Sequence, residues 1–239
     1  MIRRPPRSTL SSSSAASDVY KRQTWVDAGA KPAPPMILVV AILAGVLVVL
    51  LRSGLTRRAL QPPLLESVWL VALAYLPQWL AFYNGATARL IPDPVAAASL
   101  VASQFLLLYF AWRNRQFPGI WLLAVGVAMN LSVIVANGGF MPISPKVVWQ
   151  LAPHADGTWQ LGERLWLTKD IVLPAVATHL PWLADRFLLP EWSPKASAFS
   201  LGDIILALGA FRVIWSVGDE TDSKEKVEDF NEKRRAVVI

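Results

Sequence analysis

The chain has 239 residues, of which 54% are hydrophobic and only 17% charged, a balance too apolar for an ordinary soluble domain. Six of its 23 Lys/Arg but only two of its 17 Asp/Glu fall in residues 1–35, so the rest of the chain carries a charge of just +2 despite a formal total of +6. No basic face is left to follow a phosphate backbone, which excludes nucleic acid as a partner, and the absence of cysteine excludes disulfides, thiol catalysis and Cys-based metal sites.

Residues 1–35 are set apart by composition. Arg3-Arg-Pro-Pro-Arg, a serine run from Ser11 to Ser14 and Asp18-Val-Tyr-Lys-Arg-Gln23 have no hydrophobic period and no apolar signal-peptide core. The string Arg3–Gln23 resembles the conceptual translation of a sequencing adapter. On that reading residues 1–35 are a non-native or disordered leader, and Met36, directly before an apolar run, is the expected initiator.

Five apolar segments of roughly membrane-spanning length follow, which predicts an all-α integral membrane helical bundle. The first, 36–51, is rich in Val, Leu and Ile, and Ala41 and Gly45 form a small-xxx-small face suited to close helix packing. The second, 67–86, carries Pro77, Gln78 and Trp79 near its middle and closes at Asn84-Gly85. The third, 95–112, opens with small residues (Ala96 to Ser103) and continues with bulky ones (Phe105 to Phe110). The fourth, 119–136, places Gly126, Asn130 and Asn137 on one helical face. The fifth, 199–217, begins with Ser200-Leu-Gly-Asp203, the spacing of a capping box with an acid in the first turn.

Between the fourth and fifth spans lies a long insertion, 138–198, with five Lys/Arg, five Asp/Glu, both histidines and five tryptophans. A structureless loop of that length would be unusual, so short amphipathic pieces are expected around Leu165–Leu173 and Leu180–Leu189, lying along the membrane surface where indoles are favoured. Residues 218–239 form a charged tail. Lys/Arg counts in the short links place 52–66, 113–118 and the tail in the cytoplasm. The N-terminus and the insertion then face outside, and the expected location is the bacterial inner membrane.

Three blocks carry a resemblance: Asn137-Gly-Gly-Phe-Met-Pro-Ile-Ser144, Leu180-Pro-Trp-Leu-Ala-Asp185-Arg-Phe187 and Ser200-Leu-Gly-Asp-Ile-Ile-Leu-Ala-Leu-Gly209. With the apolar start and its Arg-rich turn, they make residues 36–217 similar to a family of bacterial multi-pass membrane proteins known only as a domain of unknown function. The resemblance implies an integral membrane protein and supplies no activity, ligand or catalytic residue.

The candidate binding residues are Asn130, Asn137, Gly138, Gly139 and Asp203. Asn137-Gly138-Gly139 reads first as a helix C-cap, since Asn and Gly adopt left-handed geometry at helix ends, and second as a ligand or ion site. Asp203 reads first as an N-terminal cap; otherwise it pairs with Arg164, Lys169 or Arg186, or binds a cation near Asn137. Arg212, half a revolution round the same helix, reads as a snorkelling residue. Gln78, Ser103, Gln104 and Asn130 read as hydrogen-bonding glue between helices before they read as a solute path.

His154, His179, Asp170 and Asp185 qualify for catalysis by residue type alone, and no nucleophile, base or metal constellation assembles from the sequence. No catalytic residue, metal or cofactor is therefore expected. The leading expectation is a non-catalytic structural or accessory membrane component, with the lipid bilayer and a second copy or a membrane protein as partners. The oligomer contact would run through Ala41/Gly45 or Ala98–Ser103. A carrier or channel for a small solute or lipid is the alternative, and an outer-leaflet enzyme the third.

Overall fold

A computed structural model of the chain describes residues 36–56, 65–152, 159–189 and 196–216. The leader, the charged tail, His154 and Trp192 lie outside the described residues. The protein is mostly helical. Helix α1 is Met36–Thr56, α2 Trp69–Gln78, α3 Gly85–Ala88, α4 Asp93–Arg113, α5 Ile120–Ala136, α6 Pro145–Leu151 and α7 Leu201–Trp215. Among the described residues α4 alone is long and apolar enough to cross a membrane, with shorter apolar helices at Ile37–Leu51, Trp69–Tyr83 and Ile120–Ala136.

Helix α2 does not stop at Gln78 but widens into a π-helical turn, Trp79–Tyr83, closed by the Asn84 amide donating to the Trp79 carbonyl at 2.9 Å. Pro77 lies two residues before it, where its missing N–H and bulky ring disturb the regular ladder of the preceding turn. Pro94 sits in the first turn of α4, where its lost donor would have had no partner anyway.

α2 packs on α4, α4 on α5, α5 on α7 and α7 on α1. The α5–α7 seam runs antiparallel and is built on glycine. A Cβ placed on Gly126 would come within 2.7 Å of the Gly202 carbonyl, and one on Gly119 within 2.7 Å of the Gly209 carbonyl. Backbone therefore touches backbone at two points two turns apart, the close approach that small residues permit. Gly45 of α1 faces Ile214 of α7, so the Ala41/Gly45 side is used inside the chain.

The insertion corrects the expectation of a wholly helical protein with amphipathic pieces. Strand β1 (Met141–Ile143) pairs in parallel with β2 (Asp170–Val172), and β3 (Phe187–Leu188) pairs antiparallel with β4 (Ala198–Phe199). The amphipathic piece expected around Leu165–Leu173 is a single 3-10 turn, Leu165–Leu167, leading into β2. Ile143, Val147, Val148, Leu165 and Val172 form a core belonging to the insertion itself, with Trp159 and Trp166 packed against it. A second core joins the insertion to the helices through Phe140, Met141 and Leu183, which lie among Ala81, Phe82, Ala96, Ala97, Leu100, Val133 and Ile134. The insertion is thus a folded cap on one end of the bundle. Two of its tryptophans are spent on its own core, while Trp149 and Trp182 are exposed.

Candidate functional site

The opening of the cap is the C-terminus of α5. Gly138 and Gly139 have φ of +79° and +91°, the Gly139 amide donates to the Ile134 carbonyl at 2.8 Å, and the Gly138 amide to that of Val135 at 3.4 Å. These are the two bonds of a Schellman motif, so the glycines close the helix. Asn137 does more than cap. Its amide nitrogen donates to the carbonyls of Val133 (2.7 Å) and His179 (2.9 Å), while its oxygen accepts from the His179 amide at 2.9 Å. A buried side chain thereby stands in for a strand and fixes residue 179 of the cap to the end of α5.

Arg164 makes the second anchor, and its side chain is only 3% exposed. It donates to Asp93 Oδ1 at 2.9 Å and to the carbonyls of Ala81, Leu167 and Thr168, and its guanidinium lies between the rings of Phe82 and Phe140 at 5.2 and 5.3 Å. The geometry uses the planar fork that distinguishes arginine from lysine. Two of the carbonyls belong to a strained turn, in which Trp166 and Leu167 have φ of 46° and 59°. Left-handed geometry costs a bulky residue about 1–2 kcal/mol, and the guanidinium holds the turn in place.

That turn presents Lys169 and Asp170 to the junction with α7. The Lys169 ammonium bonds Asp170 Oδ1 at 2.8 Å and contacts Asp185 Oδ2. Lys169 is about a third exposed, whereas the Asp185 carboxyl is 0% exposed and its Oδ1 has no hydrogen-bond partner among the described residues. Burial pushes the Asp185 carboxyl up, neighbouring Lys169 draws it down only in part, and Asp170 and Asp203 add to the rise, to about 8. For Lys169, burial favours loss of the proton, but the fields of Asp170, Asp185 and Asp203 outweigh it and hold the ammonium well above its usual range.

On the bundle side a closed hydrogen-bond ring forms the N-terminus of α7. The Ser200 hydroxyl accepts from the Asp203 amide at 3.1 Å, and Asp203 Oδ2 accepts from the Ser200 amide at 2.9 Å, completing the capping box. Asn130 of α5 joins it, donating to Asp203 Oδ1 at 2.8 Å and accepting from the Ser200 hydroxyl at 2.9 Å. Gly202 must be glycine for this, since a Cβ there would lie 2.0 Å from Asn130 Oδ1.

The five candidate residues therefore fall into two groups. Asn130 and Asp203 meet across the α5–α7 seam, while Asn137, Gly138 and Gly139 tie α5 to the cap. Of the suggested partners of Asp203, Arg164 is engaged by Asp93, Lys169 by Asp170 and Asp185, and Arg186 lies over the ring of Phe187. At mid-helix, Gln78 Nε2 donates to Ser103 Oγ at 2.5 Å, joining α2 to α4. Among the described residues no group of three His, Asp or Glu is placed to hold a metal ion.

Asp185 and Lys169 were within reach of the sequence only as residue types. The one local signal is that Asp185 sits in the block Leu180–Phe187, an acid placed among apolar residues. Arg164 and its partner Asp93 are 71 residues apart, and no local pattern links them.

A Thermotoga maritima protein described as an uncharacterized protein is 30% identical over 107 residues, which cover 44% of this chain and 55% of the relative. The chain thus spans about half the length of that curated relative. No solved structure matches it. A family described as "Family of unknown function (DUF5317)" matches residues 64–215, and the chain belongs to that family.

Proposed function

We infer that the protein is a five-span integral membrane component of the bacterial inner membrane, structural or accessory rather than catalytic, with its cap on the outer face. The observation that carries the reading is the use made of polar side chains inside the helical region. Gln78 is engaged with Ser103, and Asn130 with Asp203 and Ser200, so these groups join helices instead of lining a path. Large apolar side chains support a lipid-facing surface: Leu43, Leu47, Leu50, Trp69, Tyr75, Phe105, Trp112, Trp121 and Leu208 are exposed. Trp69–Tyr83 (α2 with its π turn), α5 and α7 are shorter than a usual span of about 20 residues, and in this arrangement they stand with little tilt in a locally thinned bilayer.

With Ala41 and Gly45 committed to the α1–α7 side, Ala98 and Ala102, exposed four residues apart on α4, are the small face left for a second copy. The topology is tested by single cysteines in the cysteine-free chain. Val176→Cys, at a position 97% exposed on the cap, and Arg115→Cys, exposed in the α4–α5 link, label from opposite sides of sealed vesicles. Labelling of both from one side refutes the five-span arrangement. For the accessory role, native mass measurement in nanodiscs is expected to show an oligomer that Ala98→Leu/Ala102→Leu dissociates, and a monomer in both chains counts against it.

The carrier reading retains one specific observation, the buried Asp185 oxygen that has no hydrogen-bond partner among the described residues. It would require transport to be lost in Asn130→Leu while the protein still inserts.

A further inference from the structure

Where the cap joins α7, three carboxylates and one ammonium lie within electrostatic reach of one another. Lys169 bonds Asp170 and Asp185; Asp203 stands in the first turn of α7 within electrostatic reach of both Lys169 and Asp185; Tyr83, from the π turn after α2, is within electrostatic reach of Lys169, Asp170 and Asp203. An acidic cluster alone would be a charged surface, but Asp185 adds an independent feature. Its side chain is 0% exposed, Oδ2 contacts Lys169, and among the described residues Oδ1 touches no donor. A carboxylate has about four lone-pair sites, and leaving one oxygen buried and bare carries the full desolvation penalty of a charged group. A proton on that oxygen removes the charge and with it the larger part of the penalty, since a neutral carboxyl costs far less to bury than an ion.

We propose that Asp185 is a proton-binding residue that exchanges one proton through Oδ1 and acts as a pH-responsive latch between the cap and the N-terminus of α7. Its place in the chain suits the role. The Asp185 amide donates to the Pro142 carbonyl, in β1, and the Arg186 amide to the Phe199 carbonyl, in β4, so the residue sits at the joint between the two ladders. β4 runs directly into Ser200 and the capping box of α7. With the proton bound, Lys169 neutralises Asp170 and the joint is closed. With the proton gone, three carboxylates share one ammonium, and the new charge at Asp185 repels Asp203 across the joint.

The proton enters and leaves by the Lys169 side, where the cluster reaches solvent. On the other side the hydrogen-bonded chain ends at Asn130, because beyond it the α5–α7 seam is closed by the Gly126–Gly202 and Gly119–Gly209 contacts. That geometry makes a sensor and not a relay. The linkage sign follows from the raised pKa. The folded state keeps a proton that the unfolded chain releases in the ordinary carboxylate range, so the contribution of Asp185 is greatest at low pH and is lost as pH rises to about 8.

The test uses the full chain in detergent micelles, followed by the infrared C=O stretch of protonated carboxyl between about pH 6 and about pH 10, a window in which ordinary carboxyls are ionised. One carboxyl is expected to titrate with a midpoint near 8, and its band is absent in Asp185→Asn. Asp170→Asn, which leaves Asp185 intact and removes a neighbouring charge, moves the midpoint down. Amide exchange of residues 185–188 and 198–200, corrected for intrinsic rates, is expected to accelerate above the midpoint in the wild type and to be pH-invariant in Asp185→Asn. No titrating band in the wild type overturns the proposal. So does a band that survives in Asp185→Asn, a midpoint that Asp170→Asn does not move, or exchange that ignores pH while the band titrates.

Discussion

Replacing Gly126 with alanine tests whether the α5–α7 seam is what holds the bundle to its cap. The added methyl would sit 2.7 Å from the Gly202 carbonyl and 2.8 Å from the Leu206 amide nitrogen, both backbone atoms of α7 that no rotamer change can remove. Ordinary contact needs about 3.5 Å, so α7 must retreat by roughly 0.7 Å or more at this point. The second tight contact, Gly119 against Gly209, restricts pivoting as a way to do so. Overpacking of this kind costs about 1–3 kcal/mol. The retreat also stretches the Asn130–Asp203 bond one turn away, a bond to a charged acceptor worth about 1.5–3 kcal/mol. Against these stands a gain of about 1 kcal/mol in helix propensity, which leaves a net loss of about 3 kcal/mol. Gly85→Ala is the matched control, since a Cβ there meets nothing within 4 Å; it is expected to be neutral or to stabilise by up to about 1 kcal/mol. Reversible unfolding in mixed micelles with rising SDS, followed by tryptophan fluorescence, measures both. Equal stability of the two variants would refute the backbone-contact reading. Adding Leu206→Ala to Gly126→Ala should not restore stability, because the limiting contacts are main-chain atoms.

Other expected outcomes concern the cap's anchors. Arg164→Lys keeps the charge but cannot reach Asp93 and the carbonyls of Ala81, Leu167 and Thr168 together, and it should cost about 3 kcal/mol, read as faster proteolysis of the cap with helix content unchanged. Asn137→Ala leaves the His179 amide and carbonyl unpaired, for a loss of about 2 kcal/mol and faster amide exchange at His179. Gly138→Ala should cost only the left-handed backbone term of about 1 kcal/mol, because the space around it is open. Gly139→Ala should lower the thermal midpoint further, since its methyl would meet the Ala97 Cβ at 2.6 Å.

Much of the helical frame was legible because it follows from composition and punctuation. The run 95–112 lies inside α4, whose start two residues earlier is set by Pro94 in its first turn. The run 119–136 became α5 with Gly119 just outside, at a φ of 90° that ends the preceding turn. Within the segment 67–86 the helical part is Trp69–Tyr83, and its π turn is an irregularity that hydrophobic period does not encode. The cap was illegible for a different reason. β1 is Met-Pro-Ile, three residues all buried, too short for alternation and carrying a proline, and its parallel partner begins 27 residues after it. Such a pairing comes from packing around Val148 and Val172, which no local window contains.

The same contrast separates the parts of the candidate site. Ser200 to Asp203 announced itself, because a capping box is written in four consecutive residues. Asn130 and Asn137 were found as one helix face, and both are buried and bonded, yet they serve opposite neighbours, α7 and the cap. A helical wheel cannot say which neighbour lies where. Lys169, Asp170 and Asp185 came together through the tertiary structure alone: the turn that offers Lys169 exists because Arg164 grips its carbonyls, and Arg164 is fixed by Asp93 at the start of α4. The charges that looked like a solvated loop are thus partitioned. Arg164 and Asp93 are used for anchoring, while the surplus of carboxylates over ammonium is confined to one buried oxygen at the joint with α7. Packing at the glycine seam and titration at Asp185 consequently bear on the same contact. A variant that opens the seam is expected to lower the pH at which the Asp185 proton is lost, by admitting water to the buried carboxylate.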